Sequence, residues 1–260
     1  MNKLDQVRCF LLDMDGTFYL GGRLIEGSLD FIEKVRRSGR DFLFLTNNSS
    51  HNALFYVDKL ARMGLKVDRR KVLTSGEATA DKLNELYPGK RAFVLGNEYL
   101  IAELEEAGIC VDQENPEIVV AGYDTTLDYK KMTAVCDFVR AGLPYIATHP
   151  DFNCPTETGF APDLGAIMAF IEASAGRRPE LIVGKPNPGI VEAALRRTGL
   201  KLNELAMVGD RLYTDIETGR RSGMLSILVM SGETTEEMLA ESATKPDLKF
   251  GRLSDMIPLL

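Results

Sequence analysis

The fold of this 260-residue chain is decided by the stretch CFLLDMDGT, residues 9–17. Its first half is apolar and predicts a short buried strand over residues 9–13. Asp13 and Asp15 stand two positions apart at the end of this strand, followed by a Gly-Thr turn. Two carboxylates in this place suit a hard cation such as Mg²⁺ and an aspartate that attacks phosphorus. An Asp-Gly turn is also common where a strand ends, so the stretch alone leaves the two interpretations close to even.

Strand and helix patterns alternate along the rest of the chain. Further strands are expected at residues 42–46, 72–74, 181–183, 205–208 and 226–229. Helices are expected at residues 29–37, with Ser28 as the N-cap, and at 52–63, 78–86, 188–197, 213–221 and from 235 onward. Near-continuous apolar strands between amphipathic helices indicate an α/β fold with a doubly wound, Rossmann-like parallel sheet. In such sheets the ligand lies at the carboxyl ends of the strands.

The middle of the chain, residues 87–178, has strands and helices of its own. Its predicted strands are at residues 92–95, 118–121 and 145–147. We interpret this segment as an inserted α/β cap domain, which leaves residues 1–86 and 179–260 as the core. The alternative is one continuous sheet through the whole chain, but the usual size of domains favours the insertion.

The composition argues against several classes of function. The chain is 45% hydrophobic and 27% charged, as ordinary globular proteins are, and its net charge of −7 argues against a nucleic-acid-binding surface. No apolar stretch approaches the roughly 20 residues that span a membrane. The four cysteines form no CxxC pair, so they indicate reduced thiols in a cytoplasmic protein.

Polar residues follow four of the predicted strands. They are Asp13 and Asp15; Thr46, Asn47 and Asn48; Lys185; and Asp210 with Asp215. Each group alone has an ordinary explanation as a turn, a helix cap or a solvated surface residue. Together they supply carboxylates, a hydroxyl with neighbouring backbone N–H groups, and one lysine. These are the components of metal-assisted phosphoryl transfer.

The four motifs, in this order, resemble those of the haloacid dehalogenase (HAD)-like hydrolase superfamily. The closer resemblance is to its class IIA, the NagD-like or 4-nitrophenylphosphatase branch, and it covers essentially the whole chain. The runs that carry this closer resemblance are residues 13–16, 19–22, 46–49, 148–151, 184–188, 209–212 and 214–215. The resemblance implies a Rossmann-like HAD core with an inserted α/β cap.

The resemblance also implies roles for the acidic residues. Asp13 is expected to be the nucleophile and Asp15 the group that protonates the leaving oxygen and then deprotonates water. Mg²⁺ is the expected cofactor, held by Asp13, by the backbone carbonyl of Asp15 and by Asp210. Asp215 is expected either as a water-mediated ligand or as a helix residue that only shapes the turn.

The remaining motif residues are expected to contact the phosphate or the rest of the substrate. Thr46 offers a hydroxyl, Asn47 and Asn48 follow it in the phosphate-binding loop, and Lys185 would neutralise charge on the nucleophile and the phosphoryl group. In the cap, His149 and Asp151 are expected to determine substrate specificity.

Two cap residues depart from the pattern of the family. His149 stands where many relatives have Asn, and Asp163 stands where relatives often have Gly after Pro162. His149 could act as a general acid/base, contact the substrate or make a structural hydrogen bond. Substrate contact or a structural hydrogen bond is favoured, because the core already supplies an acid/base. Asp163 is expected to be the N-cap of a cap helix.

The predicted function is a Mg²⁺-dependent phosphatase that acts on a small phosphorylated metabolite through an aspartyl-phosphate. The substrate classes associated with the branch are sugar phosphates, nucleoside monophosphates, phosphoglycolate and pyridoxal phosphate, with 4-nitrophenyl phosphate as an artificial substrate. One alternative is a phosphotransferase or mutase on the same scaffold. Another is a phospho-accepting signalling module, against which Asp15 and the large insertion count. The expected partner is a small phosphate ester, with neither nucleic acid nor membrane, and the oligomeric state stays open between a monomer and a homodimer.

Overall fold

The computed structural model describes residues 3–156 and 159–260 and contains two compact α/β units. The first unit comprises Met1–Thr46, Tyr56–Leu73 and Lys185–Leu260. The second comprises Asn47–Phe55 and Thr74–Gly184. The bounds of these units differ from those of the core and cap expected from the sequence. The expected core and cap boundaries stay a prediction.

Fourteen strands are present in the described residues, most of them short. They are β1 (Cys9–Leu12), β2 (Tyr19–Leu20), β3 (Arg23–Leu24), β4 (Asp41–Thr46), β5 (Val72–Thr74), β6 (Ala92–Leu95), β7 (Ile118–Ala121), β8 (Tyr145–Ala147), β9 (Asn153–Thr156), β10 (Gly159–Pro162), β11 (Leu181–Ile182), β12 (Leu205–Gly209), β13 (Leu225–Val229) and β14 (Leu248–Phe250).

Nine α-helices lie between these strands in the described part of the chain. They are α1 (Ser28–Arg37), α2 (Ala53–Arg62), α3 (Ser75–Leu86), α4 (Glu98–Glu106), α5 (Tyr129–Arg140), α6 (Leu164–Ala175), α7 (Pro188–Thr198), α8 (Glu217–Ser222) and α9 (Glu236–Glu241).

A six-stranded sheet contains β1 at its centre, in the order β14-β13-β12-β1-β4-β5. Strand β1 pairs in parallel with β12 on one side and with β4 on the other, and Leu12 is opposite both Val208 and Phe44. All four residues of β1 are buried, as expected for a strand covered on both faces. The carboxyl ends of β1, β4 and β12 therefore meet at one edge of this sheet.

The start of helix α1 differs from its prediction. Ser28 was expected to be the N-cap, but Gly27 holds that position with a φ of 77° and Ser28 is the first helical residue. The hydroxyl of Ser28 instead donates to the Phe18 carbonyl, 2.9 Å away. A Cβ at Gly27 would lie 2.5 Å from the Ser254 Cβ, so the close approach of that side chain and the left-handed backbone both favour glycine.

A second, four-stranded sheet has the order β11-β8-β7-β6, and all its strands are parallel. Three of these strands have the bounds that the sequence predicts. The fourth is a correction: a strand at residues 181–183 was expected in the core sheet, but Leu181–Ile182 pairs with β8 in this second sheet. A strand of two half-buried residues carries too short an apolar pattern to show which sheet it joins.

The α/β fold class predicted from the sequence is confirmed: each unit has a parallel sheet with helices between its strands. Across residues 3–156 and 159–260, no helix combines the length and the apolar character that crossing a membrane requires.

Candidate active site

The centre of the first sheet places two aspartates beside each other. Asp13 follows β1 and its backbone N–H donates to the Val208 carbonyl over 2.9 Å, while Asp210 follows β12 directly. Thr46 is the last residue of β4, the neighbour of β1 on the other side, and it is buried. Three of the four strand ends predicted to form the site, those of β1, β4 and β12, thus lie at one sheet edge.

Lys185 lies at the centre of this group and is 2% exposed. Its Nζ donates to Asp13 Oδ1 over 2.5 Å and to Asp215 Oδ1 over 2.7 Å. It also lies 3.5 Å from the carbonyl oxygen of Leu45, the residue before Thr46. One ammonium group therefore links two carboxylates to the end of β4, which excludes the solvated surface lysine.

Asp210 is fixed by a loop that the sequence did not mark as part of the site. Its Oδ2 accepts the backbone N–H of Glu233 over 2.7 Å, and its Oδ1 accepts the Thr17 hydroxyl over 3.2 Å. The hydroxyl of Thr234 donates to the Asp210 carbonyl. A Cβ at Gly232 would overlap the Asp210 carboxylate, so this loop approaches closely only with glycine there.

Asp215 is turned into the site by an irregular helix start. A helix over residues 213–221 was expected, but a π-helical turn over Leu212–Ile216 precedes α8. Within it the Arg211 backbone N–H donates to Asp215 Oδ2 over 3.1 Å, and a Cβ at Gly209 would overlap the Asp215 carboxylate. The missing Cβ at Gly209 leaves room for this carboxylate inside the site.

Asp215 therefore uses each carboxylate oxygen for a contact within the protein. One oxygen accepts from Lys185 and the other from Arg211. The contacts hold the Asp215 carboxylate beside Lys185, and its expected role, a water-mediated metal ligand or a residue that only shapes the turn, stays a prediction.

The electrostatics of the site follow from burial and from like charges. Burial, together with Asp215 and Asp210, raises the pKa of Asp13 to about 8, although Lys185 and Arg211 act in the opposite direction. Burial and Asp215 likewise raise the pKa of Asp210 to about 6. Burial alone would lower the pKa of Lys185, but Asp13 and Asp215 raise it above its usual value, so the lysine stays protonated.

The residues present fit a divalent cation. Carboxylate oxygens of Asp13, Asp210 and Asp215 all lie within 4.8 Å of one another. Three ionised carboxylates this close repel each other, which adds to the effect of burial on the pKa values of Asp13 and Asp210, and a hard cation would offset that repulsion. The expected ligand from Asp15 is its backbone carbonyl, so this grouping of side chains does not test it.

Asp15 itself lies at the border of the site. Its side chain is partly exposed, and the Gly21 N–H approaches its Oδ1 at 3.4 Å. Gly21 is in the turn of the β2–β3 hairpin, which directly follows the DMDGT motif. A partly exposed side chain here is accessible to a leaving group or to water, as a general acid/base must be.

The expected phosphate-binding residues after Thr46 belong to the second unit. Asn47 donates its amide to Asp151, with Nδ2 at 3.1 Å from Oδ1 and 3.3 Å from Oδ2. The Asn48 side chain accepts from the backbone N–H and the hydroxyl of Ser50, at 2.9 and 2.7 Å. The structure thus brings Asn47 and the cap residue Asp151 into direct contact.

His149 is fully buried in the second unit. Its Nε2 lies 2.9 Å from Asp163 Oδ1, and its Nδ1 lies 2.9 Å from the Thr148 hydroxyl. Asp163 is the N-cap of α6, as predicted, and accepts the backbone N–H of Leu164. His149 and Asp163, both singled out in the sequence, therefore contact each other.

Two charged residues beside Asp210, namely Arg211 and Glu233, were not predicted from the sequence as site residues. The guanidinium of Arg211, whose side chain is 16% exposed, pairs with Glu233 over 2.9 Å. Tyr213 donates its hydroxyl to the same carboxylate over 3.2 Å. Arg211 directly follows Asp210, so its position in the GDRLYTD run was an available signal. Glu233 offered none, because it lies in a loop 23 residues from Asp210.

Comparison with known proteins places this geometry in a family. A family model described as haloacid dehalogenase-like hydrolase matches residues 10–110, and a second, described as HAD-hydrolase-like, matches residues 182–256. An acid sugar phosphatase of Staphylococcus aureus strain MRSA252 is 37% identical over 255 residues, which cover 98% of each protein. The chain belongs to the HAD-like hydrolases.

Solved structures of HAD-like hydrolases agree with this chain along its length. The 4-nitrophenylphosphatase of Thermotoga maritima is 47% identical, with a TM-score of 0.97 and coverage of 99% of both chains. NagD of E. coli K-12 is 32% identical, with a TM-score of 0.89, and the match covers 96% of this chain and 98% of that one. The resemblance to the NagD and 4-nitrophenylphosphatase branch is thereby confirmed, and the protein is a phosphatase with a Rossmann-like HAD core and a cap.

Proposed function

We propose that this phosphatase is Mg²⁺-dependent, hydrolyses a small phosphorylated metabolite and works through an aspartyl-phosphate at Asp13. The observation that carries the proposal is the position of Lys185, whose ammonium contacts Asp13 at 2.5 Å inside a group of three carboxylates. A buried, protonated lysine beside the nucleophile lowers the repulsion that a phosphate ester meets there.

The first half of the reaction forms the covalent intermediate. A carboxylate oxygen of Asp13 bonds to phosphorus while the bond from phosphorus to the leaving oxygen breaks. Asp15 donates its proton to that leaving oxygen, so that a neutral alcohol departs. The Thr46 hydroxyl and the loop of Asn47 and Asn48 would bind the non-bridging phosphate oxygens.

The second half releases inorganic phosphate. Water attacks phosphorus, its proton passes to the Asp15 carboxylate, and the bond between Asp13 and phosphorus breaks. Both aspartates thereby return to their starting states. Asp13, Asp210 and the Asp15 carbonyl would hold the Mg²⁺ ion. When bound, Mg²⁺ supplies positive charge that offsets the repulsion between the nucleophile and the phosphate.

The substrate is proposed to be small, in the sugar phosphate, nucleoside monophosphate, phosphoglycolate or pyridoxal phosphate class. The names of the relatives support phosphatase chemistry on small esters, since one is called an acid sugar phosphatase and another a 4-nitrophenylphosphatase. In the cap, His149 and Asp151 are the residues proposed to affect the choice among these classes, His149 indirectly, because its ring is fully buried and both of its nitrogens face hydrogen-bond partners.

The test is a panel of these esters with 4-nitrophenyl phosphate as reporter, each assayed with Mg²⁺ and with EDTA. We expect phosphate release that requires Mg²⁺, and the rank order within the panel identifies the substrate class. A parallel set contains a high concentration of an acceptor alcohol. Phosphate transfer to the alcohol without release of inorganic phosphate would instead indicate the phosphotransferase, and activity unaffected by EDTA would contradict the metal assignment.

A further inference from the structure

A continuous chain of hydrogen bonds crosses the interior of the second unit. It begins at Asp163, passes through both ring nitrogens of His149, reaches Thr148 and ends at Ser49. The distances are 2.9 Å at each nitrogen and 3.0 Å between the hydroxyl oxygens of Thr148 and Ser49. The backbone N–H of Tyr123 donates to the Ser49 hydroxyl over 2.9 Å. All these side chains are at least nine-tenths buried, so the chain is fixed by the interior of the protein and not by solvent.

The protons of this chain can be assigned by chemistry. Asp163 Oδ1 already accepts the Leu164 N–H over 2.6 Å, so it acts as an acceptor. His149 Nε2, which faces the same oxygen, must therefore carry a hydrogen and donate it. The Thr148 hydroxyl has a single hydrogen and faces both His149 Nδ1 and the Ser49 hydroxyl, so it donates to one of them and accepts from the other.

A second connection runs parallel to the first. The backbone N–H of Gly165, in the first turn of α6, donates to the Asp151 carbonyl over 2.7 Å. The Asp151 carboxylate in turn accepts the Asn47 amide at 3.1 and 3.3 Å. The start of helix α6 is thus linked to residues 47–49 twice, once through His149 and once through Asp151.

We propose that His149 and Asp163 act as one positioning unit, which holds the segment of residues 47–49 in the conformation that binds phosphate. The proposal rests on the function proposed above, because Asn47 and Asn48 are the expected phosphate-binding residues of that function. Neither member of the pair touches the substrate in this role. The pair acts through Thr148 and Ser49.

The geometry disfavours a metal site at the same place. One atom each from His149, Asp151 and Asp163 lies within 4.8 Å of the others, a spacing that also suits a metal ion. Both nitrogens of the ring, however, face hydrogen-bond partners, and a metal would have to replace one of those bonds. A chain of satisfied hydrogen bonds is a complete structure without an ion.

The first test is NMR spectroscopy of the histidine side chains in the whole protein. The chain has two histidines, so His51→Gln assigns the signals of His149. We expect a slowly exchanging proton on His149 Nε2 that disappears in Asp163→Ala. An unprotonated Nε2, or a signal that does not depend on Asp163, would overturn the pair.

The second test is the affinity for inorganic phosphate, measured by calorimetry with Mg²⁺ present. We compare His149→Gln, Asp163→Asn and the double variant with the unmodified protein. Each single change is expected to weaken phosphate binding about tenfold, and the double variant should be no weaker than the worse single one. Independent effects that multiply in the double variant, or an unchanged affinity, would contradict a single positioning unit.

Kinetics separates positioning from simple loss of folded protein. With 4-nitrophenyl phosphate we expect the same variants to raise KM by a similar factor while kcat stays within about twofold. The matched control is Asp124→Asn, which removes a buried carboxylate of the same unit that pairs with Lys131 over 2.7 Å. It should lower Tm without changing KM or phosphate affinity.

The outcomes for the pair and for the proposed function are distinguishable. An unmodified protein that binds phosphate but hydrolyses no ester removes the proposed function, while the effects on phosphate affinity still decide the pair. If Asp124→Asn changes phosphate affinity as much as His149→Gln does, the His149–Asp163 pair has no special role.

Discussion

Two groups of carboxylates in the described residues have opposite surroundings. In the first unit, Asp13, Asp210 and Asp215 are grouped within 4.8 Å, and one lysine is shared by two of them. In the second unit, Asp151 faces the Asn47 amide, and Asp163 faces a backbone N–H and His149. The first group has more carboxylates than neighbouring positive charges. In the second group each carboxylate has hydrogen-bond donors within the protein. We infer that the first group is built to take up a cation and a phosphate, and the second to keep its own residues in place.

The largest effect is expected from removing the proposed nucleophile, Asp13. Asp13→Asn should lower kcat at least about 10⁴-fold, because the proposed covalent intermediate forms on the Asp13 carboxylate. Folding should be kept, since Asn has nearly the size of Asp and Lys185 retains its contact with Asp215. Steady-state hydrolysis and Tm measure both effects, and Asp58→Asn on the exposed side of α2 is the control. Activity near that of the unmodified enzyme would exclude Asp13 as the nucleophile.

Removing the ammonium group of Lys185, which Asp13 and Asp215 share, should have the next largest effect. Lys185→Met leaves Asp13 and Asp215 without their common partner, and we expect kcat to fall about 10³-fold. The free energy of unfolding should fall by about 3 kcal/mol, because a buried pair loses one member. Denaturant unfolding checks this value against Lys249→Met, whose ion pair is at the surface. Equal losses in the two variants would mean that burial of Lys185 adds nothing.

The excess of carboxylates over positive charges in the first group predicts that metal binding depends on pH. Asp13 and Asp210 have pKa values raised to about 8 and about 6, so both bind protons in a range where ordinary aspartates do not. Mg²⁺ competes with these protons, and its affinity should rise roughly a hundredfold from pH 6 to pH 8. Calorimetry in two buffers of different ionisation enthalpy measures the released protons. A flat profile, or one that is unchanged in Asp210→Asn, would argue against this site.

A smaller change tests the loop that fixes Asp210. Gly232→Ala should raise the Mg²⁺ concentration for half-maximal activity about tenfold, because its Cβ would displace the Asp210 carboxylate. Gly22→Ala is the matched control, since a Cβ there meets nothing within 4 Å and its backbone is not left-handed. If both variants titrate alike with Mg²⁺, the close approach of the loop has no bearing on the metal.

The smallest effect concerns a carboxylate with only favourable neighbours. Glu217 accepts from Arg220, Arg221 and Thr244, and these hydrogen bonds, that from Arg220 first, lower its pKa to about 2. Folding therefore gains from the ionised form, fully above the ordinary value of 4.5 and less as the pH falls towards 2. Because both arginines are more than half exposed, Glu217→Gln should cost only about 1 kcal/mol at pH 7. Denaturant unfolding at pH 7 and pH 3 should show the cost shrinking in acid, and a constant difference would contradict the assignment.

Much of this architecture could be predicted because its information is local in the sequence. Strands β6, β7 and β8 have the predicted bounds, since each is a short apolar run between turn residues. The family, the fold class and the phosphatase activity are confirmed. The catalytic, metal-binding and specificity roles of individual residues stay predictions, although the structure groups Asp13, Lys185, Asp210 and Asp215 as those roles require.

The parts that could not be predicted depend on contacts between distant residues. Glu233 approaches Asp210 across 23 positions, and His149 meets Asp163 across 14. No local pattern of hydrophobicity reports such contacts. The placement of Leu181–Ile182 failed for a related reason, because a strand of two residues has the same appearance in either sheet.

The π-helical turn at Leu212–Ile216 has a consequence for chain length. Such a turn contains one residue more than an ordinary helical turn, and each α-helical residue rotates the chain by about 100°. Deleting one residue there would restore regular helix while swinging Asp215 away from Lys185. A change in the length of this five-residue stretch therefore changes the direction in which Asp215 points. Homologous chains should keep its length even where their residues differ.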